Sequence, residues 1–361
     1  MVDNNEVSRE AFYSIMQEKI FHLPKLRSGK DYYSDIKYLF ENYQDRLEKT
    51  LNNERAGEIS VICTGILATI EAYNNGLPHR AYNKFKEVMN VLNKSQNQLV
   101  LLQKTDFMSP YEEKQNDPLR LYRVRAIDEK RTYKRSEIFH TPYHLHEKVA
   151  TCRYSISGFP SLYMGTSLAL CVEESARNQD NIFIASRFKL NRSTVNNGDV
   201  DIKVMDLGIR PQDFLEELDA DGNYIPNLKH DAGLIKRYSY WYPLIAACSF
   251  IRKSKRDPFS PEYIIPQLLM QWARARYEDS RNQKKLIGIR YFSCSSLESA
   301  DLGFNYVFPV SGKDAESLNE YYCSVLTSVI SLTQPIVIQK NNLNLKQQEM
   351  DIDQDLRRLN E

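Results

Sequence analysis

The apolar residues of this chain keep one period before about residue 106 and a different one after it, and that change limits the folds open to it. From Asp31 to Leu51, Tyr33, Ile36, Leu39, Phe40, Tyr43 and Leu47 recur at three- and four-residue spacings, which places them on one face of a helix. A second helix is predicted over about Ala56–Asn74, where Ile59, Ile62, Ile66 and Ile70 make a similar stripe and Asn74, Asn75, Gly76 and Pro78 supply the stop. A third covers about Ala81–Leu92, with Tyr82, Phe85, Val88 and Met89 on one side. Stripes of this kind face a core. Residues 1–105 therefore read as a small helical N-terminal domain with a packing or regulatory role and no catalytic constellation.

Beyond residue 106 the pattern is mixed. Pro110, Pro118 and the polar stretch from Glu112 to Asp117 look like a linker. Strands are predicted at Leu121–Val124, Ile182–Phe188, Ile202–Leu207, Ile287–Phe292 and Tyr306–Phe308. Helices are predicted at about Ser167–Ala176, Pro211–Leu218, Lys236–Ala247 and Pro261–Tyr277. Strands and helices do not alternate regularly enough for a doubly wound parallel sheet, which makes the fold class α+β. The expected division is a helical domain at 1–105, a mixed domain at 106–338 and a polar C-terminal tail at 339–361, forming an exposed helix or fraying.

Bulk properties narrow the function. With 48 Lys and Arg against 47 Asp and Glu, the formal charge is +1, so the basic excess of a nucleic-acid binder is missing and nucleic acid is not an expected partner. The six cysteines form no CxxC pair, so neither a zinc ribbon nor a redox motif is implied, and most read as reduced, buried thiols. The N-terminal MVDNNEVSRE has no signal-peptide pattern, and no apolar stretch is expected to approach the roughly 20 residues that span a bilayer. A cytoplasmic location away from the membrane is the expectation. There is no GxGxxG, Gly29-Lys30 lacks an upstream P-loop glycine, and Asp219–Asn223 lacks the ladder and closing Glu of a calcium loop. His140, His144 and His146 are the one histidine cluster, but no carboxylate or cysteine completes a ligand set, so no metal is expected and a structural role is assigned to His140.

The segment that carries chemistry runs from His140 to Ser175, HTPYHLHEKVATCRYSISGFPSLYMGTSLALCVEES. Arg153 opens a strand-like piece, Ser157-Gly158-Phe159-Pro160 make a turn, Tyr163 lies in a second strand, and a helix from about Ser167 presents Glu173 and Glu174 two turns later. Two paired strands and a helix would bring Arg153, Tyr163 and Glu174 toward one cleft. Acidic residues far from a helix N-terminus gain nothing from its dipole, which admits a functional reading of one glutamate beside the simpler one of a solvated surface pair.

RYSISGFPSLYMGTSLALCVEE resembles the central motif of the RES-domain family, named for an arginine, a glutamate and a serine. Arg153 and Tyr163 are ten positions apart, and Tyr163 and Glu174 eleven, as in that motif; Glu173 competes with Glu174. Leu121-Tyr122-Arg123 is similar to the family's opening strand, and Tyr263–Gln267 and Gly288–Ser293 are similar to its later segments. Ser293 matches the named serine, with Ser295 and Ser296 as competitors, and Asn305 sits in a segment similar to the terminal strand motif. The resemblance covers about residues 118–310 and leaves the helical N-terminus outside.

What the resemblance implies is an ADP-ribosyltransferase-like core of two facing β-sheets with helices. The implied activity is toxin-like consumption of NAD, as glycohydrolase, phosphorylase or ADP-ribosyltransferase. NAD is the implied substrate, a cognate antitoxin or regulatory protein an implied partner, and a homodimer a further expectation. Breaking the nicotinamide–ribose bond gives an oxocarbenium-like transition state, and Glu174 suits its stabilisation. Arg153 is the expected fork for phosphate or ribose, with Arg123 second. Tyr163 could stack on the cationic nicotinamide, and Ser293 could donate to its amide or to a phosphate. The rival reading is a non-catalytic module that binds NAD or ADP-ribose while the helical N-terminus contacts a partner.

Overall fold

A computed structural model describes residues 9–29, 31–49, 53–94, 100–101, 119–175, 182–191, 194–195, 198–218, 224–226, 232–254, 257–278, 285–310, 321–339, 352 and 356–359. Two compact units divide the chain, Met1–Leu99 with Ile209–Leu269, and Val100–Gly208 with Met270–Glu361. Residues 209–269, which sequence patterning leaves inside 106–338, thus cluster with the N-terminal helices. The linker read at 106–118 lies outside the described residues except at its edges.

In the first unit the helices are Arg9–Gln17, Tyr32–Glu48, Asn53–Asn74, Pro78–Leu92 and Ala232–Cys248. Local chemistry fixes their ends. Asp31 accepts a hydrogen bond from the Ser34 amide and starts the second helix. The third stops because Gly76 turns left-handed at φ 72°, with its amide on the Tyr73 carbonyl and that of Leu77 on Ala72. Pro78 then opens the next helix at a position needing no amide donor. The predicted stripe Ile59, Ile62, Ile66 and Ile70 is fully buried. Buried tyrosines keep their hydroxyls satisfied: Tyr43 donates to the Ser239 carbonyl and Tyr242 to that of Phe21.

Two expectations change here. Arg55–Asn74 is, by length and composition, long and apolar enough to cross a membrane, contrary to the reading that no stretch approaches that length. Its isoleucine face packs inside the helical unit, as in an ordinary core helix. The helix predicted at Pro211–Leu218 is instead a single 3₁₀ turn, Pro211–Phe214, followed by a strand, Leu215–Leu218, paired with Tyr224–Pro226. Asp213 accepts from the Arg210 amide at 2.7 Å and caps the start of this turn, and the strand pairing takes over from Leu215.

The second unit carries a ten-stranded sheet. Its strands are β1 (Val100–Leu101), β2 (Leu121–Ala126), β3 (Ser161–Gly165), β4 (Ile182–Leu190), β5 (Asp201–Leu207), β6 (Lys285–Phe292), β7 (Phe304–Pro309), β8 (Ile330–Leu332), β9 (Ile336–Gln339) and β10 (Arg357–Arg358). The order is β1-β5-β6-β7-β3-β2-β4-β8-β10, with β9 also on β4. Among the described strands β5 and β6 run parallel and the other pairs antiparallel. The five predicted strands are all present, and with the helices they make the chain mixed α and β, consistent with the α+β class. Strands β2 and β3 meet through one residue pair, Tyr122 opposite Gly165, so the sheet is nearly split there. Side chains from both sides of that junction, among them Leu121, Phe188, Leu162, Val204 and Phe308, still share one apolar cluster. The tail read as an exposed helix or frayed end contributes β10 and a buried Ile352; the backbone pairing of Arg357 and Arg358 with β8 overrides the polar composition.

Candidate active site

The helix Leu168–Ser175 carries the candidate glutamate, and several contacts seat it on the sheet. Leu168, Leu170, Cys171 and Val172 are buried beneath it. Cys171 Sγ donates to the Tyr122 carbonyl at 3.2 Å and Ser175 Oγ to that of Val124 at 3.2 Å. Gly165 makes the close approach possible, since a Cβ there would come within 2.7 Å of Cys171 Sγ. At the helix start Ser167 Oγ accepts from the Leu170 amide and donates to the Leu302 carbonyl, tying the helix to the loop before β7.

With that face down, Glu173 and Glu174 are exposed. They differ in their partners. Glu174 Oε1 accepts from Ser293 Oγ at 2.5 Å and from Asn305 Nδ2 at 3.0 Å. Ser293 is fully buried just beyond β6, and Asn305 is buried within β7, opposite both Tyr291 and Gly165. The sheet register therefore delivers both donors to one carboxylate oxygen of Glu174. Two donors to an anion, one of them short, hold its position far more firmly than a surface ion pair would.

Arg153 is buried, with Nη2 donating to the Cys294 carbonyl at 3.3 Å, next to Ser293 in the chain. It sits in a turn, not in the strand-like piece expected from sequence, because the only local pairing is a bridge between Ile156 and Phe159 around Gly158 at φ 69°. Tyr163 lies half-buried in β3, and its hydroxyl donates to the Tyr154 carbonyl at 2.5 Å. Arg123 Nη1 in turn donates to the Tyr163 carbonyl at 2.9 Å. The five residues singled out from sequence are thus joined: Arg123 to Tyr163, Tyr163 to the residue after Arg153, Arg153 to the residue after Ser293, and Ser293 to Glu174.

The electrostatics follow from burial. Loss of solvation holds the Arg123 guanidinium down at about 9, with neighbouring Arg125 adding repulsion. Tyr291 packs on the Tyr154 ring at 4.6 Å, and burial pushes its phenol well above the usual range, helped by the Glu174 carboxylate and opposed by Arg153. Burial likewise raises the Cys152 thiol, so it is no ready nucleophile. No disulfide joins any of the six cysteines, all of which lie among the described residues.

Sequence reasoning passed over Tyr291, Cys294 and Ser299. Ser299 is buried and lies 2.8 Å from Ser293 Oγ. The one available signal is the serine-rich run Ser293, Ser295, Ser296 and Ser299 straight after a predicted strand.

His140 belongs to the scaffold. Its Nε2 accepts from the Cys323 amide at 2.9 Å, which leaves the proton on Nδ1, donated to the Thr141 carbonyl at 2.8 Å. Burial, with Arg123 and Arg125 nearby, pushes it down to about 4. The unfolded chain takes up this proton near 6.5 and the folded chain only near 4, so acidification between those values favours unfolding, by about 3 kcal/mol in full. Urea midpoints measured from pH 7.5 to 4.5 should fall steeply for the native chain and less for His140→Gln; parallel slopes would show that His140 does not titrate this way. His144 packs against the Tyr321 ring at 5.0 Å, and among the described residues no group of three or more metal-ligating side chains occurs. The Asp219–Asn223 segment lies outside the described residues.

No family model and no solved structure matches the chain. A protein of Bacillus subtilis (strain 168) named "Putative toxin YopC" is 28% identical over 328 residues, covering 87% of this chain and 68% of the relative. Over most of its length, the chain is therefore similar to a protein whose name marks it as a toxin.

Proposed function

We propose that the chain is a toxin-like enzyme of the RES type that consumes NAD by cleaving the bond between nicotinamide and ribose. The observation that carries this is the exposed Glu174 carboxylate gripped by buried Ser293 and Asn305, with Arg153 anchored one residue beyond Ser293. A serine 119 residues downstream bonds that glutamate, and Arg153 bonds the residue after the serine, which supports the reading. The near-split sheet around one apolar cluster supports an ADP-ribosyltransferase-like core, and the toxin named among the relatives supports the biological class.

In this reading the C1′–N bond breaks and its electron pair neutralises the nicotinamide ring. Positive charge then builds on the sugar, where Glu174 stabilises it. An acceptor oxygen bonds to C1′ and releases its proton to solvent. Arg153 and Arg123 supply positive charge toward the pyrophosphate, and the anchored Tyr163 ring offers an aromatic face to the cationic leaving group. The acceptor is water, phosphate or a protein side chain, and a cognate antitoxin or regulatory protein is the natural partner of such an activity.

The test is to incubate the purified full chain with NAD, alone, with inorganic phosphate, and with cell extract, and to follow nicotinamide by chromatography. Release is the expected result. Saturable NAD binding without release in any arm would instead support a binding module.

A further inference from the structure

Glu174 uses one oxygen for its protein contacts. Both donors, Ser293 Oγ and Asn305 Nδ2, reach Oε1, and among the described residues Oε2 has no partner. Behind Ser293 stands a chain of hydroxyls. Ser299 Oγ donates to Ser293 Oγ at 2.8 Å, and Ser295 Oγ donates to Ser299 Oγ at 2.9 Å. The Ser296 amide also donates to Ser299 Oγ at 3.0 Å, while Ser296 Oγ accepts from the Ser299 amide at 3.1 Å and pins the 3₁₀ turn that carries Ser299.

Proton counting fixes the step nearest the carboxylate. A carboxylate only accepts, so the one hydroxyl proton of Ser293 goes to Glu174. Ser293 is then left to accept, with Ser299 Oγ at 2.8 Å, Ser295 Oγ at 3.1 Å and the Ser295 amide at 3.3 Å around it, while Ser299 Oγ also reaches the Ser296 carbonyl at 3.0 Å. Ser299 is filled in turn by Ser295 and the Ser296 amide. Each donation polarises the next, so the bond that finally reaches Oε1 is stronger than an isolated serine would make. Ser299 is 1% exposed and bonds Ser293, which in turn bonds Glu174.

We infer that Ser299 is a positioning residue: through Ser293 it locks Oε1 of Glu174 in place and so presents Oε2 as the oxygen that faces the reacting sugar. This inference rests on the NAD-cleaving reading of the same site. Loss of the relay leaves the substrate-binding groups intact but lets the carboxylate swing, so the loss falls on turnover and not on binding.

The experiment compares Ser299→Ala, Ser299→Thr and Ser295→Ala in the full chain. Ser299→Ala is expected to lower kcat about tenfold with KM within twofold, Ser295→Ala to lower kcat about two- to threefold, and Ser299→Thr, which keeps the hydroxyl, to recover most of the native rate. The second readout needs no turnover. The Asn305 side-chain amide donates to the same Oε1, and its NMR resonance, assigned by its loss in Asn305→Ala, should move in Ser299→Ala and stay near the native position in Ser299→Thr. Native kcat with an unmoved amide in Ser299→Ala overturns the inference, as does an equal rise in KM for both alanine variants. A native protein that releases no nicotinamide overturns the proposed reaction instead, while the amide shift still reports on the relay.

Discussion

Glu174→Gln should reduce nicotinamide release by 100-fold or more, while Glu173→Gln stays within about twofold of the native chain. The two residues are adjacent and equally exposed, so the pair isolates position from charge. Gln keeps the size of the side chain and an oxygen to accept from Ser293 and Asn305. What it lacks is the negative charge that stabilises a sugar cation. The loss should therefore appear in kcat more than in KM, with thermal unfolding unchanged within a few degrees. Measurement of initial rates and melting curves for both variants decides it. Equal activity of Glu174→Gln and the native chain would remove the carboxylate from the chemistry.

The second large effect concerns Arg153. Arg153→Lys retains a positive charge and loses the planar fork, and kcat/KM for NAD is expected to fall on the order of 50-fold, mostly through KM. The geometry gives the reason. Nη2 donates to the Cys294 carbonyl, so the planar guanidinium is held at a fixed angle. A lysine reaching the same carbonyl would have a freely turning ammonium. Arg153→Ala should lose activity further and also cost about 1.5–3 kcal/mol of stability, since it leaves a buried carbonyl without its charged donor. Steady-state kinetics with NAD and urea unfolding separate these two losses. A lysine variant with native KM would assign Arg153 to the scaffold alone.

Local patterning revealed much of this architecture and almost none of its long-range pairing. The strands at 121, 182, 202, 287 and 306 announce themselves through runs of β-branched and aromatic residues, and each forms close to its expected limits. The Leu168–Ser175 helix follows from its apolar residues and the serine that caps it. The spacing of Arg153, Tyr163 and Glu174 was readable because all three lie within one stretch of chain. By contrast, the parallel pairing of β5 with β6 joins residues 84 apart, such as Asp201 with Lys285, and no local signal encodes it. The grouping of 209–269 with the N-terminal helices is of the same kind. Tyr291 and Ser299 escaped notice for a related reason. A tyrosine in a chain with 23 of them, or a serine in a run of serines, gains meaning only when the register sets it beside a particular partner. The segment at Pro211 differs for another reason: a buried Phe214 and Leu215 suit a helix or a strand equally, and the pairing of Leu215–Leu218 with Tyr224–Pro226 tips the balance.

The donors that complete the Glu174 carboxylate lie 119 and 131 residues downstream of it. During synthesis at about 5–20 residues per second, some seven to twenty-five seconds separate the emergence of the acid from that of its last donor. On the proposed reading, a nascent chain has no completed site until Asn305 has emerged, and a ribosome that stalls before that point yields an inert product. On the proposed toxin reading, the delay is a built-in interval in which a neutralising protein translated alongside is already waiting.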